Sequence, residues 1–528
     1  MILQQINIIL TTLNSRYMHT AFGLRYLFAN LGELQNQATI QEFTIQERPL
    51  DIAEKLLSQK PRIIGFSLYI WNIAESTETI ALVKQISPQT IIVIGGPEVS
   101  HLPDKPDVVD LADYTIQGAG EISFKRLCEE ILANKRPLNT VINGEIATLD
   151  QLSLPYSYYT DEDIRNRLIY VEASRGCPFK CEFCLSALDK TSKPFDLSTF
   201  LSEIDKLIQR GARNFKFIDR TFNLKVNTSV SILEFFLERM TDDLYLHFEV
   251  VPDNLPDKLK QVIQRFPKNS LQFEIGVQTF DPKIQTLISR KQDNKKTCQN
   301  LIWLRESTGA HLHTDLIFGL PSDTLDNFAE SFNQLVALKP HEIQLGILKR
   351  LRGAPINRHD KTYQMRYKNT PPYNILSTRD INFFTLQRVS RFARYWDIIA
   401  NSGRFKQTLN LILVANTNED CINNNSNYNE TNEQSKEDYH LAFQRFMRLS
   451  DYLYEQTQST WKIALPRLYK LLYNALTEEF QLSNSTVFAA LNKDFIQSKQ
   501  RGSLENFLSK NKVARKGIAN KRQLNHID

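Results

Sequence analysis

The chain has 528 residues, of which 42% are hydrophobic and 23% are charged, and these are values of a globular protein that can bury large cores. The 64 basic and 59 acidic residues leave a net charge of +5, which disfavours a nucleic-acid substrate and a basic membrane-binding patch. No apolar run approaches the roughly 20 residues of a membrane span, and the N-terminus lacks the basic region of a secretion signal. We therefore expect a cytoplasmic protein with no membrane partner and with reduced cysteines.

Residues 1–135 alternate short apolar runs with amphipathic stretches, which is typical of a parallel, doubly wound α/β sheet. The predicted strands are Ile6–Leu10, Thr39–Ile45, Arg62–Ser67, Thr90–Ile94 and Tyr114–Gln117. Four glycines follow the fourth and fifth of these strands, where such sheets bind their ligands. They are Gly95, Gly96, Gly118 and Gly120. Residues 136–167 contain Pro137 and Pro155 and show no sustained periodicity, so we interpret them as a connector.

The strand–helix alternation resumes over residues 168–370. The predicted strands here are Leu168–Ala173, Asn214–Ile218, His247–Val251, Gln272–Val277, Leu312–Phe318 and Glu342–Leu348. Six strand–helix units are too few for a closed eight-stranded barrel, so we expect an open, partial (βα)6 barrel.

Residues 371–528 are mainly helical in pattern, with apolar side chains at helical spacing before Gly403 and again after His440. An Asn-rich insertion over residues 415–436 is expected to be a disordered surface segment. The basic residues at the C-terminus are interpreted as a solvated, frayed end.

Three of the six cysteines, Cys177, Cys181 and Cys184, form a C-x3-C-x2-C run directly after the first strand of the predicted barrel. Three thiolates on a tight loop can each hold one iron of a 4Fe–4S cube and leave the fourth iron open for a ligand. The alternatives are a cluster used only for electron transfer and a zinc site with a remote fourth ligand, for which the nearest candidates are His247 and Cys298.

The cysteine spacing, on the loop after the first barrel strand, resembles that of the radical S-adenosylmethionine (SAM) superfamily. Phe183, the aromatic residue just before the third cysteine, fits the same pattern. The resemblance implies that the open iron binds the amino and carboxylate groups of SAM. It also implies that an electron from the cluster cleaves SAM to a 5′-deoxyadenosyl radical, with flavodoxin or ferredoxin as the reductant.

Further matches to this superfamily fall at the ends of later strands. Asp219 stands where members often contact the SAM amino group, although the usual Gly-Gly-Glu is missing, and Glu249 ends the third strand. Gln278 resembles the residue that bonds the SAM ribose or carboxylate, and Arg290 resembles the arginine that pairs with that carboxylate. Asp315 opens a fifth-strand glycine motif that approaches adenine. Each of these residues alone could instead cap a strand or form a salt bridge.

The N-terminal sheet resembles the cobalamin-binding domain that precedes the barrel in cobalamin-dependent radical SAM enzymes. The cobalamin fingerprint D-x-H-x-x-G, S-x-L and G-G is matched in part by the segments that begin at Tyr17 and Ser67 and by Gly95-Gly96. The resemblance implies that cobalamin is held by Ser67, Gly95, Gly96 and Glu121. The alternative is a degenerate relative that packs on the barrel and binds no cobalamin.

His19 occupies the position of the cobalt ligand in this fingerprint, but Tyr17 replaces the aspartate that would orient it. A metal-bound histidine is normally oriented by an acceptor on its other nitrogen, and a phenol is a poorer acceptor than a carboxylate. We therefore predict that cobalamin binds without His19 on cobalt.

Together these resemblances imply a cobalamin-dependent radical SAM enzyme that transfers a methyl group to an unactivated carbon of a small-molecule or unidentified substrate. The alternatives are a radical SAM oxidation or rearrangement without methyl transfer, and a non-catalytic iron–sulfur or cobalamin-binding protein. The helical C-terminal part resembles an uncharacterised domain that follows the barrel in some of these proteins.

Overall fold

The computed structural model describes residues 5–414 and 438–509. The described residues form two compact units. The first contains residues 5–328 and 338–386, and the second contains residues 329–337, 387–414 and 438–509. Among the described helices, none combines the length and the apolarity of a membrane span.

The first unit begins with the predicted parallel sheet, whose spatial order is β2-β1-β3-β4-β5-β6. Its strands are β1 (Ile8–Asn14), β2 (Ala38–Thr44), β3 (Ile63–Ser67), β4 (Ile91–Gly95), β5 (Tyr114–Gln117) and β6 (Val141–Asn143). Helices cover both faces, and they are α1 (Phe22–Ala29), α2 (Pro49–Leu57), α3 (Ile73–Ile86), α4 (Val108–Leu111) and α5 (Glu121–Leu132). Neighbouring residues of β1 enter opposite cores, Ile9 on one face and Ile8 on the other, so the doubly wound prediction is confirmed.

The sixth strand lies inside residues 136–167, which we had expected to be only a connector. β6 pairs with β5 through Ile116 and Ile142 and forms the edge of the sheet. It has three residues, two of them exposed, so it lacks the buried apolar run that marked the other strands. The same stretch contains α6 (Asp161–Asn166), whose N-cap Thr160 accepts a hydrogen bond from the Asp163 amide.

A closed ring of four buried charges joins the sheet domain to the residues just before the barrel. Arg25 Nη1 lies 2.8 Å from Glu42 Oε1, and Arg25 Nη2 lies 2.7 Å from Asp163 Oδ2. Arg167 completes the ring, at 2.9 Å from Glu42 Oε2 and 2.8 Å from Asp163 Oδ1. Because each cation contacts both anions, the burial cost of every charge is offset by two partners.

The second sheet is the predicted partial barrel, six parallel strands in the order β14-β13-β12-β11-β10-β7. The strands in chain order are β7 (Ile169–Val171), β8 (Ser174–Arg175), β9 (Lys193–Pro194), β10 (Asn214–Phe217), β11 (Tyr245–Val250), β12 (Leu271–Gln278), β13 (His311–Phe318) and β14 (Glu342–Ile347). The helices are α7 (Leu197–Gln209), α8 (Val226–Leu237), α9 (Asp257–Ile263), α10 (Pro282–Leu287), α11 (Asn294–Ser307) and α12 (Leu325–Ala337). β8 and β9 lie outside the sheet and pair antiparallel with each other.

After β14 the chain forms β15 (Arg366–Tyr367) and β16 (Ile375–Ser377) and then becomes helical, as predicted. The remaining helices are α13 (Phe383–Trp396), α14 (Lys406–Leu413), α15 (Ala442–Thr457), α16 (Leu465–Asn474), α17 (Asn484–Gln497) and α18 (Leu504–Ser509). In the second unit Phe332, Phe392 and Phe443 pack ring against ring in the core. The Asn-rich segment 415–436 and the basic residues from Lys510 onward lie outside the described residues.

Candidate active site

A cavity of about 930 Å³ opens where the carboxyl ends of the strands in both sheets of the first unit meet. This is the edge at which parallel α/β sheets bind ligands. The sheet domain contributes Ser67, Gly95, Gly96, Glu121 and His19 to its wall. The barrel contributes residues of its inner face, including Tyr170, Lys216, Arg220, Glu249 and Glu274.

The cysteine loop, residues 176–189, follows β8 and ends before β9. Gly176 has φ +91°, and a Cβ there would lie 2.3 Å from the Thr191 carbonyl oxygen, so this tight entry requires glycine. The Cys177 amide donates to the Asp189 carbonyl at 3.1 Å, which closes the loop on itself. Cys177 is buried, and Cys181 and Cys184 are partly buried.

The three thiols form a donor set suited to an iron–sulfur cluster. Burial raises the pKa of the Cys177 and Cys181 thiols, and the neighbouring cysteines raise them further, so the sulfurs lie close enough to repel one another as thiolates. The guanidinium groups of Arg220 and Arg290 oppose these increases.

Arg290 lies beside the cysteine loop and contacts the end of β12, the strand that carries Gln278. Arg290 Nη1 lies 3.7 Å from Cys181 Sγ, while Nη2 donates to the Gly276 carbonyl oxygen. Gln278 has φ +69°, and its Oε1 is buried with no hydrogen-bond partner among the described residues. The end of β12 therefore combines a left-handed backbone conformation with a buried acceptor that can take a hydrogen bond.

Two further predicted residues carry carboxylates on the inner face of the barrel. Both oxygens of Glu249 accept from Arg220 Nη1, at 2.9 and 3.0 Å, and the pair lines the cavity. Asp315 Oδ1 lies 3.3 Å from His313 Nε2. Burial raises the pKa of both carboxyl groups above the ordinary range.

Asp219 and Phe183 do not line the cavity. Asp219 is buried and directed at the entrance to the cysteine loop, where Oδ2 accepts from the Ala173 amide at 2.9 Å and Oδ1 accepts from Ser174 Oγ at 2.6 Å. Burial raises the pKa of its carboxyl group to about 7. Its hydrogen bonds hold the backbone and the side chain just before the cysteine loop. Phe183 is partly buried beside Cys184.

The residues predicted to hold cobalamin stand at the ends of β3, β4 and β5. Gly96 has φ +103°, and a Cβ on it would lie 2.6 Å from the Leu68 carbonyl oxygen, so the turn after β4 accepts only glycine. Ser67 and Gly95 are partly buried at the same wall. Glu121 begins α5, and its Oε1 lies 2.6 Å from Arg175 Nη1.

His19 lies in the cavity wall, but its partner is not Tyr17. Tyr17 is 52% exposed, and its hydroxyl donates to Glu162 Oε1 at 2.6 Å. The Nδ1 atom of His19 instead lies 2.7 Å from the hydroxyl of Tyr170 on β7. Burial lowers the pKa of the imidazole, and the charge of Lys216 lowers it further. The side chain beside His19 Nδ1 is therefore a phenol from the barrel, which the sequence did not indicate.

The inner face of the barrel carries a row of charged side chains that the sequence analysis missed. Glu274 Oε2 lies 3.1 Å from Lys216 Nζ and 3.0 Å from His247 Nε2, while His313 Nδ1 lies 3.3 Å from Glu342 Oε2. Burial would raise the pKa of Glu274, but the His247 hydrogen bond and the Lys216 charge bring it to about 2. Burial likewise lowers the pKa of His313, but hydrogen bonds to Asp315 and Glu342 outweigh it and raise the value to about 10. Polar residues at every second position of these strands were the signal that could have revealed the row.

Comparison with known proteins agrees with this geometry. Residues 8–128 match the family model described as B12 binding domain, and residues 171–335 match that of the radical SAM superfamily. Residues 361–421 match a protein of unknown function, DUF4080. The chain therefore joins a B12-binding domain to a radical SAM domain. Its cofactors are a 4Fe–4S cluster, SAM and cobalamin.

Two curated relatives are methyltransferases. The cobalamin-dependent radical SAM methyltransferase TokK of Streptomyces tokunonensis is 23% identical over 353 residues, which is 59% of this chain and 50% of TokK. The 2-(S-pantetheinyl)-carbapenam-3-carboxylate methyltransferase of Streptantibioticus cattleyicolor is 24% identical over 57% of this chain and 49% of its own length. The chain thus spans about half the length of the curated relatives it matches.

A solved structure shares the fold. It is the radical SAM methyltransferase TsrM from Kitasatospora setae with cobalamin and a 4Fe–4S cluster bound, at a TM-score of 0.57 and 14% identity. The match covers 69% of this chain and 78% of TsrM.

Proposed function

We propose that the protein is a cobalamin-dependent radical SAM methyltransferase that acts on a carbon atom of a small-molecule substrate. The observation that carries this proposal is that one cavity is lined both by the B12-binding loops and by the mouth of the radical SAM barrel. When bound, the cluster and SAM supply a 5′-deoxyadenosyl radical that removes a hydrogen atom, methylcobalamin supplies the methyl group that replaces it, and an external donor such as flavodoxin or ferredoxin supplies the electrons.

On the barrel side, the residues would bind and orient SAM beside the cluster. Cys177, Cys181 and Cys184 would hold the cluster, and Arg290, whose Nη1 lies 3.7 Å from Cys181 Sγ, would pair with the carboxylate of SAM bound beside it. The unpaired Oε1 of Gln278 offers an acceptor for a ribose hydroxyl or an amino group.

On the sheet side, the residues would hold cobalamin against the same cavity. Gly95 and Gly96 keep side chains away from the turn after β4, so a large ligand can approach the backbone there. Ser67 adds a hydroxyl at the end of β3.

The test is the transfer of labelled methyl. The protein is reconstituted anaerobically with iron, sulfide and cobalamin, reduced, and incubated with methyl-labelled SAM and a small-molecule extract. We expect 5′-deoxyadenosine together with a labelled product, and neither with the variant in which all three loop cysteines are Ala. If 5′-deoxyadenosine forms with extract but no product carries label in the presence of bound cobalamin, the reaction is an oxidation or rearrangement. If reduced protein never cleaves SAM, the protein is not a radical SAM enzyme.

A further inference from the structure

A long loop between the last barrel strand and the second unit contacts both cofactor-binding sides of the first unit. We call residues 350–373 the bridging loop. It leaves β14 and returns to the same place, because the Arg350 amide donates to the Tyr373 carbonyl at 3.1 Å and the Ile375 amide donates to the Leu348 carbonyl at 2.8 Å. Loops of this length with closed ends inside a compact fold are usually functional.

One end of the bridging loop holds the turn that follows β4. The Tyr373 hydroxyl donates to Glu98 Oε2 at 2.8 Å, and Arg352 Nε lies 3.4 Å from the same oxygen. Arg352 Nη1 lies 2.9 Å from Asp104 Oδ1. Glu98 is 2% exposed and Tyr373 is 4% exposed, so these are buried, charge-assisted contacts rather than surface pairs.

The turn held in this way is the one that carries Gly96. Ser100 Oγ donates to the Gly96 carbonyl at 2.8 Å, and the Gly118 amide donates to Ser100 Oγ at 3.0 Å. The Glu98 side chain therefore anchors a loop whose hydrogen bonds connect two of the glycine turns in the B12-binding wall.

The middle of the same loop holds the cysteine loop. The Ile356 amide donates to the Glu182 carbonyl at 3.0 Å, and His359 Nε2 lies 2.8 Å from Glu182 Oε2. Arg358 forms a second ion pair with Glu182. Glu182 lies between Cys181 and Cys184 and is 3% exposed, so the bridging loop contacts the cluster-binding segment at its centre.

We propose that the bridging loop is a positioning element that fixes the cysteine loop relative to the cobalamin-binding turn, with Glu182 and Glu98 as its two attachment points. None of its anchoring side chains lines the cavity, so they act through the residues they hold. The proposal rests on the proposed function, since it concerns the relative position of the cluster and cobalamin. It predicts that loosening the loop at Glu98 changes the cysteine loop as well.

The first test uses the cofactor-free protein and amide hydrogen exchange. Tyr373→Phe removes a hydroxyl that donates to Glu98 and accepts from Arg352 Nη2 at 3.1 Å. Tyr367→Phe is the matched control, because the hydroxyl of Tyr367 donates to Met365 Sδ, at 3.6 Å, and to neither attachment point. In Tyr373→Phe we expect exchange at least about fivefold faster, since each lost hydrogen bond contributes a factor of about that size, in residues 97–104 and also in residues 181–184. In Tyr367→Phe neither segment should change. Faster exchange confined to 97–104, or no change in either segment, would overturn the proposal.

The second test uses the fully loaded protein. Pulsed paramagnetic resonance measures the distribution of distances between Co(II) and the reduced cluster, which a change in folding stability alone does not alter. We expect a narrow distribution in the parent and in Tyr367→Phe, and a broader one in Tyr373→Phe at equal cluster and cobalamin content. An unchanged distribution in Tyr373→Phe would refute the positioning role and leave the proposed function intact. Failure of the parent to bind cobalamin would refute both.

Discussion

Arg175 and Glu121 join the two cofactor-binding domains directly. Arg175 stands two residues before Cys177, and its Nη1 lies 2.6 Å from Glu121 Oε1 at the start of α5. Its Nε also lies 2.8 Å from Glu172 Oε1, and its guanidinium stacks 4.4 Å above the ring of Tyr26. Glu121, which the sequence suggested for cobalamin, therefore forms an ion pair with Arg175 of the cysteine motif. This pair aligns the two domains.

The cluster assignment is tested by removing its ligands. Replacement of Cys177, Cys181 and Cys184 together by Ala should abolish cluster absorbance and iron content after anaerobic reconstitution, because iron then has no thiolate on the loop. Cys298→Ser is the matched control, since Cys298 lies on α11, and it should keep the parent iron content. Retention of a full cluster by the triple variant would contradict the assignment.

The SAM site is tested at Arg290. Arg290→Ala should weaken SAM binding by about 2 kcal/mol, which is the cost of losing a hydrogen bond to a charged group. Arg290→Lys should recover only part of the affinity, because lysine keeps the charge but lacks the fork of donors. Arg265→Ala removes an exposed arginine paired with Glu234 and serves as the control. Equal SAM affinity in Arg290→Ala and the parent, measured by equilibrium dialysis, would exclude the contact.

The turn after β4 is tested with two neighbouring glycines. Gly96→Ala should destabilise the protein by about 1–3 kcal/mol, because Gly96 has φ +103° and a Cβ would lie 2.6 Å from the Leu68 carbonyl oxygen. Gly95→Ala should leave the urea midpoint near that of the parent, since its Cβ would meet only the Ile116 carbonyl oxygen, at an ordinary 3.6 Å. Equal midpoints for the two variants would show that the turn tolerates a side chain.

The cobalt ligand is tested at His19 and Tyr170. Because His19 Nδ1 is held by a phenol and not by a carboxylate, we expect His19→Ala to retain cobalamin. The Co(II) paramagnetic resonance spectrum should show no nitrogen superhyperfine splitting in the parent, in His19→Ala or in Tyr170→Phe. A nitrogen triplet in the parent that disappears in His19→Ala would make His19 the ligand.

The charged row inside the barrel predicts a dependence of stability on pH. The pKa of His313 is raised to about 10 in the folded state, whereas a histidine in the unfolded chain has a pKa of about 6.5. The folded state therefore binds this proton more tightly than the unfolded chain. The stabilisation is complete below that lower value and is lost as pH rises through about 10. The difference in urea midpoint between the parent and His313→Gln should therefore be larger at about pH 6 than at about pH 10. A difference that stays constant or grows toward high pH would refute this pairing.

The fold could be predicted because its signals are local. Buried parallel strands are rich in apolar residues, so β3 appears in the sequence as a continuous run and β1 through its first three residues, and glycines mark where β4 and β5 end. β6 was missed because a short, exposed edge strand carries no such run. The cysteine loop could also be predicted, since Cys177, Cys181 and Cys184 lie close together in the sequence.

The partners of the site residues could not be predicted, because they come from distant parts of the chain. Tyr373 and Glu98 are 275 positions apart, and His19 meets Tyr170 across 151 positions. Position at a strand end also leaves the direction of a side chain open. Asp219 follows its strand as expected, and its carboxylate accepts from the Ala173 amide and from Ser174 Oγ, partners that the sequence did not indicate.

The ring of Arg25, Glu42, Asp163 and Arg167 limits how this protein can exchange parts with its relatives. Its charges are divided between the sheet domain, which supplies Arg25 and Glu42, and the segment before the barrel, which supplies Asp163 and Arg167. A chimera that takes residues before β6 from a donor without this Arg and Glu would leave Asp163 and Arg167 with only each other, at 2.8 Å, so each buried charge would lose one of its two partners. The B12-binding domain is thus modular in sequence, but exchanging it should cost stability unless the donor also carries this Arg and Glu.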